Sequence, residues 1–298
     1  MTTTRTDITV GGRKVSMLRA GPSGGTPVLL VHGGRPGLTP ITTGAHLWDR
    51  AIPHLTAGRP VIAIDLPGAG NSDVGNADIL SAGKIAEHLE AVIAALSLDG
   101  VHFVGHDFGG FVGMWLALTS PAKLRSLSLI ASGDSTPKGD GLDDILLDAV
   151  PNPVWSRASQ AWVFERVSYS HGHIDDALLG ACVTAAQGKP HADAVKAMQD
   201  PAARARNYGI GALKGKVWDA MRSKGVHVPT QLVWSSHDPR APREAGYVLF
   251  KIIAEKQRAA QFHLINRAGS FAFREQPEEF AKVVAAFHDG VELERAAA

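Results

Sequence analysis

Asp107 is the residue of this chain whose setting reads most directly as chemistry. It stands in Val101-His102-Phe103-Val104-Gly105-His106-Asp107-Phe108-Gly109-Gly110, with the helix-like FVGMWLALTS following. That order implies a strand, a sharp turn and a helix, with one reactive side chain at the corner. The pattern is G-x-S-x-G with a carboxylate in place of serine, and its small residues permit the turn that lifts a nucleophile off the backbone. An aspartate so presented attacks carbon to form an alkyl ester, or in principle an acyl anhydride. The plain alternative is an aspartate that caps the next helix, where a carboxylate is favoured anyway.

The elements around it must form a scaffold. Asp7 to Val10 and Lys14 to Arg19 alternate about Gly11-Gly12, as an antiparallel hairpin does. PVLLVHGG (27–34), PVIAIDLPG (60–68), VHFVGHD and LRSLSLIAS (124–132) are apolar runs. Helix patterns lie between them, at Asp78–Leu96 and from Phe108 onward. Short apolar strands alternating with helices predict a mostly parallel sheet covered on both faces. Residues 133–223 show no convincing buried strand; helix-like stretches occupy Val154–Tyr169, Asp175–Ala186, His191–Asn207 and Ala212–Arg222. TQLVWSS (230–236) and QFHLIN (261–266) resume the strand rhythm, with helices at Arg243–Ala254 and Glu275–His288 and an exposed, frayed tail GVELERAAA. The expectation is an α/β core of residues 1–133 and 224–298, with a helical cap, 134–223, over the carboxyl edge of the sheet, where sites form.

Composition narrows the function classes. Of 298 residues, 45% are apolar, which suits one large domain or a core with an insertion. Lys+Arg total 30 against Asp+Glu 29, so nucleic acid and anionic membranes are not expected partners. No apolar run approaches the roughly 20 residues that span a bilayer, and the N-terminus has no signal-peptide stretch. A cytoplasmic enzyme acting on a small molecule is the expectation, and a homodimer stays open. The single Cys182 reads as a buried, inert thiol. No metal or organic cofactor is implied, since His171-Gly172-His173 alone is thin ligand material.

Three signals in order resemble the α/β-hydrolase fold: His32-Gly33-Gly34, the turn Asp65-Leu66-Pro67-Gly68-Ala69-Gly70-Asn71-Ser72, and the corner at Asp107. The resemblance extends from His32 to Phe280. Aspartate at the corner is similar to the epoxide hydrolase and haloalkane or haloacid dehalogenase branch. Phe108 resembles the epoxide-hydrolase side, because a phenylalanine side chain offers halide no donor. Val31 to Gly37, Ile265 to Gly269 and Arg274 to Phe280 resemble instead the hydrolases of meta-cleavage products, which break carbon–carbon bonds and carry serine at the corner.

The resemblance implies roles. Phe108 and Gly33 or Gly34 would supply oxyanion-hole N–H groups, fixed before charge develops. Asp238, in Ser235-Ser236-His237-Asp238-Pro239, is the candidate orienting carboxylate, with Asp134 the alternative; Asp238 could equally form the turn before Pro239. Tyr208 is the candidate donor to a leaving oxygen, and Tyr169 a weaker one. Trp155 and Trp162, seven apart, read as one helix face that forms cap core or pocket wall, and His106 as a pocket neighbour.

One position departs from the family. Where it places histidine after the last strand, this chain has Ala268-Gly269-Ser270-Phe271. Serine has no usable basicity near neutral pH, so it cannot activate water against an ester. The sequence therefore predicts an epoxide-hydrolase-like enzyme able to attack and then stall. Ser270 would reflect a substitution that traps an intermediate, divergence toward binding or non-hydrolytic chemistry, or replacement by another histidine such as His237 or His106. His263 reads as strand packing, His32 as structural, and His46 as a residue of the entrance. The rivals are a dehalogenase, a carbon–carbon hydrolase of diketone-like substrates, and a non-catalytic ligand-binding relative.

Overall fold

Apolar runs without a polar face become interior strands. The computed structural model describes residues 2–137, 149–208 and 210–297, except for the side chains of 206–208. Its strands are β1 (Thr4–Val10), β2 (Arg13–Ala20), β3 (Val28–Val31), β4 (Val61–Ile64), β5 (Val101–His106), β6 (Leu124–Ile130), β7 (Thr230–Ser235) and β8 (Gln261–Ile265). They form one sheet in the order β1-β2-β4-β3-β5-β6-β7-β8. β2 runs antiparallel to both neighbours, and every other pairing is parallel. The expected hairpin turns at Gly11 and Gly12, with φ 56 and 74, a left-handed pair that glycine adopts without strain.

The longer helices are α1 (Ala82–Ala95), α2 (Phe108–Thr119), α3 (Arg157–Val167), α4 (Asp176–Gln187), α5 (Lys189–Gln199), α6 (Pro201–Tyr208), α7 (Gly211–Ser223), α8 (Arg243–Ala254) and α9 (Pro277–Ala296). Helices α3 to α7 all lie between β6 and β7, and that stretch holds no strand among the described residues.

Four boundaries differ from the sequence expectation, each for a local reason. The helix expected over His191–Asn207 is two, because Asp200 is extended (φ −69, ψ 118) ahead of Pro201, the conformation a following proline favours. The expected Asp78–Leu96 helix begins as a tight turn, Ala77–Leu80, and Ser81 (ψ 144) separates it from α1. The helix expected at Glu275–His288 is preceded by a separate turn, Ala272–Glu275, and starts at Pro277, the first-turn place proline tolerates. The tail expected to fray instead continues α9 to Ala296, with Val291 buried as its anchor. Trp155 and Trp162 do not share a helix face either: α3 opens after its Ser156 cap, and Trp155 lies outside it with φ 65.

Packing fixes the sheet from both sides. Leu29 and Val31 of β3 join Phe103, Leu127 and Phe111 on one face. Val28 and Leu30 join Val104, Trp48, Phe273 and Phe280 on the other. Alternation along each strand sends successive apolar residues to opposite clusters. In parallel register Val31 lies opposite Gly105, and His106 opposite Ile130. The loops after β3, β5 and β6 therefore meet at one edge.

Candidate active site

Asp107 sits at that edge with φ 48 and ψ −118. A side chain other than glycine is strained there, by ~1–3 kcal/mol. The surroundings hold it. Its N–H donates to Ile130 O at 2.9 Å, and its carbonyl accepts from Ser132 Oγ at 2.7 Å. Gly105 and Gly109 make the corner passable, since a Cβ on Gly105 would lie 2.6 Å from Gly109 O, and one on Gly109 2.5 Å from His32 O. The turn is thus a sharp strand-to-helix junction carrying a carboxylate at its apex. The helix-cap alternative does not apply, because no cap hydrogen bond from the Asp107 side chain is made to α2.

The carboxylate is asymmetric. Oδ2 accepts from Gly34 N–H at 3.3 Å and lies 3.6 Å from Arg240 Nη1. Oδ1 accepts from no group among the described residues, and the side chain keeps 13% exposure. Burial alone would raise the carboxyl pKa, but Arg240, His106, Arg35 and the Gly34 N–H hold it below its ordinary value. His106 is itself pushed down to about 4 by burial, so near neutral pH the positive support comes from the two arginines. Arg35 lies over the Phe108 ring, 5.4 Å from its centroid, and pairs with Asp134 at 2.9 Å. Phe108 opens α2, so its N–H has no intrahelical acceptor and fits an oxyanion role.

Asp238 and Ser270 are in direct contact. Ser270 Oγ donates to Asp238 Oδ1 at 2.6 Å, and that oxygen also accepts from Arg240 N–H at 2.8 Å and Ala241 N–H at 3.2 Å. Burial still raises Asp238 to about 6. Asp134, the alternative, is engaged by Arg35 instead. His106 Nε2 lies 2.8 Å from Ser270 O; a carbonyl can only accept, so Nε2 carries the proton. The His106 ring packs at 5.2 Å from Phe271 and 5.0 Å from Phe273. The ring is buried, at 2% exposure.

The remaining candidates are dispersed. Trp155 donates to Thr39 O at 2.9 Å and sets its edge against His191 at 4.7 Å. Trp162 lies under Arg166 at 4.7 Å. The side chain of Tyr208 lies outside the described residues. The Tyr169 ring is tilted against that of the exposed His237, 4.5 Å away, and His237 Nδ1 is engaged by Ser236 Oγ at 2.6 Å. His32 accepts from Leu66 N–H at 3.0 Å and so ties two loops together. His46 contacts Cys182 Sγ at 3.4 Å, and burial pushes that thiol up to about 12. No group of three or more metal-ligating side chains occurs among the described residues.

A narrow cleft opens beside the loop after β3, where Arg35, Thr43, Gly68, Gly70, Ala185 and His191 converge. Trp155, Trp162 and Asp107 are not among the residues that line it. Sequence reasoning did not single out Arg35, Arg240 or His191. Arg240 carried the clearest signal, a cation two residues beyond Asp238 in a carboxyl-end loop.

Comparison with known proteins agrees with this architecture. The model of the family described as the alpha/beta hydrolase fold matches residues 26–277. The 2-hydroxy-6-oxo-2,4-heptadienoate hydrolase of Pseudomonas putida is 28% identical over 263 residues, covering 87% of this chain and 88% of that protein. The crystal structure of a mutant meta-cleavage product hydrolase (CumD) superposes with TM-score 0.75 at 21% identity, over 96% of this chain and 98% of that one. The epoxide hydrolase CorEH superposes with TM-score 0.72 at 18% identity, over 97% of this chain and 100% of that one. At such identities the two structures share the fold. No helix among the described residues is long and apolar enough to cross a membrane.

Proposed function

This chain belongs to the alpha/beta hydrolase fold family, matched along residues 26–277, and from that membership we propose that Asp107 is a carbon-directed nucleophile. The supporting observation is the asymmetry of its carboxylate: Oδ2 rests on Gly34 N–H, while Oδ1 is left without a partner among the described residues. Oδ1 would bond to an electrophilic carbon and displace an alkoxide or a halide. Oδ2 would then be the ester carbonyl oxygen, already seated on the oxyanion amide. A carboxyl held below its ordinary pKa is a weak base, so attack on carbon fits Asp107 better than proton abstraction. Residues 134–223 serve in this reading as a cap over the site, and Tyr208 as the donor to the leaving oxygen.

Epoxide opening is the reaction we favour, with haloalkane or haloacid dehalogenation the alternative. Ser270 leaves the ester without a water-activating base, so the first half-reaction outruns the second. The test is intact-mass analysis after exposure to panels of terminal epoxides, haloalkanes and haloacids. An adduct of whole-substrate mass with the epoxides favours ring opening, and an adduct lighter than the substrate by HX, with free halide in solution, favours dehalogenation. Absence of any adduct with every electrophile would overturn the reading.

A second reading has its own support. The Pseudomonas putida relative, aligned over 87% of this chain, is named a 2-hydroxy-6-oxo-2,4-heptadienoate hydrolase. Carbon–carbon hydrolysis here would need a nucleophile and base other than serine and histidine at positions 107 and 270. Spectroscopic loss of a 2-hydroxy-6-oxodienoate, retained in Asp107→Asn, would favour it over the ester.

A further inference from the structure

Asp238 is a carboxylate satisfied on one side only. Three donors, Ser270 Oγ, Arg240 N–H and Ala241 N–H, converge on Oδ1 at 2.6, 2.8 and 3.2 Å. Oδ2 is buried and has no hydrogen-bond partner among the described residues, although Asp238 as a whole is 8% exposed. An acceptor in that state is one whose donor comes from outside the chain or is lost.

The neighbours are committed elsewhere. Ser270 has one proton and spends it on Oδ1. His106 spends its Nε2–H on Ser270 O. The segment that carries Ser270 is fixed by Ser270 N–H to Val167 O at 2.8 Å and Gly269 N–H to Glu275 Oε1 at 2.8 Å. Asp238 and Asp107 belong to one site, since the backbone N–H of Arg240 holds the first while its guanidinium faces the second.

We propose that Asp238 Oδ2 is the docking point for the N–H of a small azole, an imidazole-type ring borne by the substrate or a co-substrate, which supplies the base that position 270 does not. The inference rests on the Asp107 ester. An azole alone among common neutral groups pairs a ring N–H with a lone-pair nitrogen that accepts a proton near neutral pH. A hydroxyl would fill Oδ2 and offer no base. A primary ammonium would fill it and keep no lone pair.

The step closes in atoms and electrons. With the ring N–H on Asp238, the other nitrogen takes a proton from water. The water oxygen bonds to the carbonyl carbon of the Asp107 ester, and Oδ2 of Asp107 takes the negative charge beside Gly34 N–H. Collapse breaks the bond between that carbon and the alkoxy oxygen. The alkoxide leaves with the proton from the azolium, and the Asp107 carboxyl left behind, now holding the water oxygen, releases its remaining proton to solvent to restore the carboxylate.

The experiment uses the full chain, esterified with a terminal epoxide and freed of excess reagent. Loss of adduct mass is followed in imidazole and in 1-methylimidazole, which has similar basicity and no N–H. Imidazole is expected to speed discharge about a hundredfold and to saturate; 1-methylimidazole is expected to have little effect. Equal effects of the two, or none, would overturn the proposal while leaving the ester in place. If no ester forms, the nucleophile reading fails, and docking is still read on the unreacted protein by saturation-transfer NMR. Imidazole binding that 1-methylimidazole does not compete for, and that Asp238→Asn abolishes, supports docking. Absence of imidazole binding overturns it. The methyl contrast needs no variant, so misfolding of Asp238→Asn leaves the test intact.

Discussion

The hydroxyl of Ser270 donates to Asp238 Oδ1 across 2.6 Å, so the pair that closes this site is a hydroxyl on a carboxylate, with no imidazole between them. Asp238 is positioned to orient a partner, and serine gives it only a hydroxyl to hold. Ser270→His should therefore convert a stalled ester into a turning-over one. Adduct lifetime should fall by about 10²- to 10⁴-fold, the usual worth of a general base. Intact mass and product formation, measured on the same sample, check this.

Arg240 keeps Asp107 ionised. In Arg240→Met the largest charge holding the carboxyl below its ordinary value is gone, and burial then raises it. Because the nucleophile is the ionised form, adduct formation in the unaltered protein should stay level as pH falls from 8 to about 6, above the range in which the fold is lost. In the variant it should drop several-fold over the same interval. Rates of mass gain against pH, with Arg240→Lys as the charge-retaining control, check this.

Asp238 works against stability when ionised. Its carboxyl is raised from 3.8 to about 6, chiefly by burial. A raised folded-state pKa means the stabilising state is the protonated one. That contribution is complete below the unfolded value and is lost as pH rises through about 6, amounting to ~3 kcal/mol. Asp238→Asn keeps an acceptor for Ser270 without the charge. Its advantage over the unaltered protein should be nearly complete by pH 6 and change by only ~0.4 kcal/mol up to pH 8, as measured by urea midpoints at each pH.

Acid should unfold this protein early. Burial pushes His46, His88 and His106 down to about 4, and His102 and His173 to about 3. For a histidine with a lowered folded pKa, stability is present above the unfolded value of 6.5 and is lost as pH falls below it. At pH 5 each of these groups removes ~2 kcal/mol, and together they approach the whole stability of an ordinary domain. The stacked pair His102 and His288, 4.1 Å apart, adds repulsion once both charge. Far-UV circular dichroism against pH should show loss of structure near pH 5, reversed on neutralisation.

The sheet was legible because its strands are short apolar runs in which alternate residues enter opposite clusters, as Val28 to Val31 do. The corner was legible because Gly105 and Gly109 must stay small for Asp107 to take its backbone angles. The charges around Asp107 were not. Arg35, Asp107 and Arg240 come from three loops far apart in the chain, and only the sheet register brings them together. The break before Pro201 has a plain signal in the proline itself, which disfavours helical backbone at Asp200. Trp155 looked helical by its distance from Trp162, but Ser156 caps the helix after it.

The central claim is that Asp107 Oδ1 bonds to substrate carbon. Peptide mass mapping of the protein after exposure to a terminal epoxide tests it most directly. The account predicts one added substrate mass per chain, located on Asp107 and missing from Asp107→Asn. Modification located on another residue, or an unmodified Asp107 peptide in a sample that turns over, would contradict it.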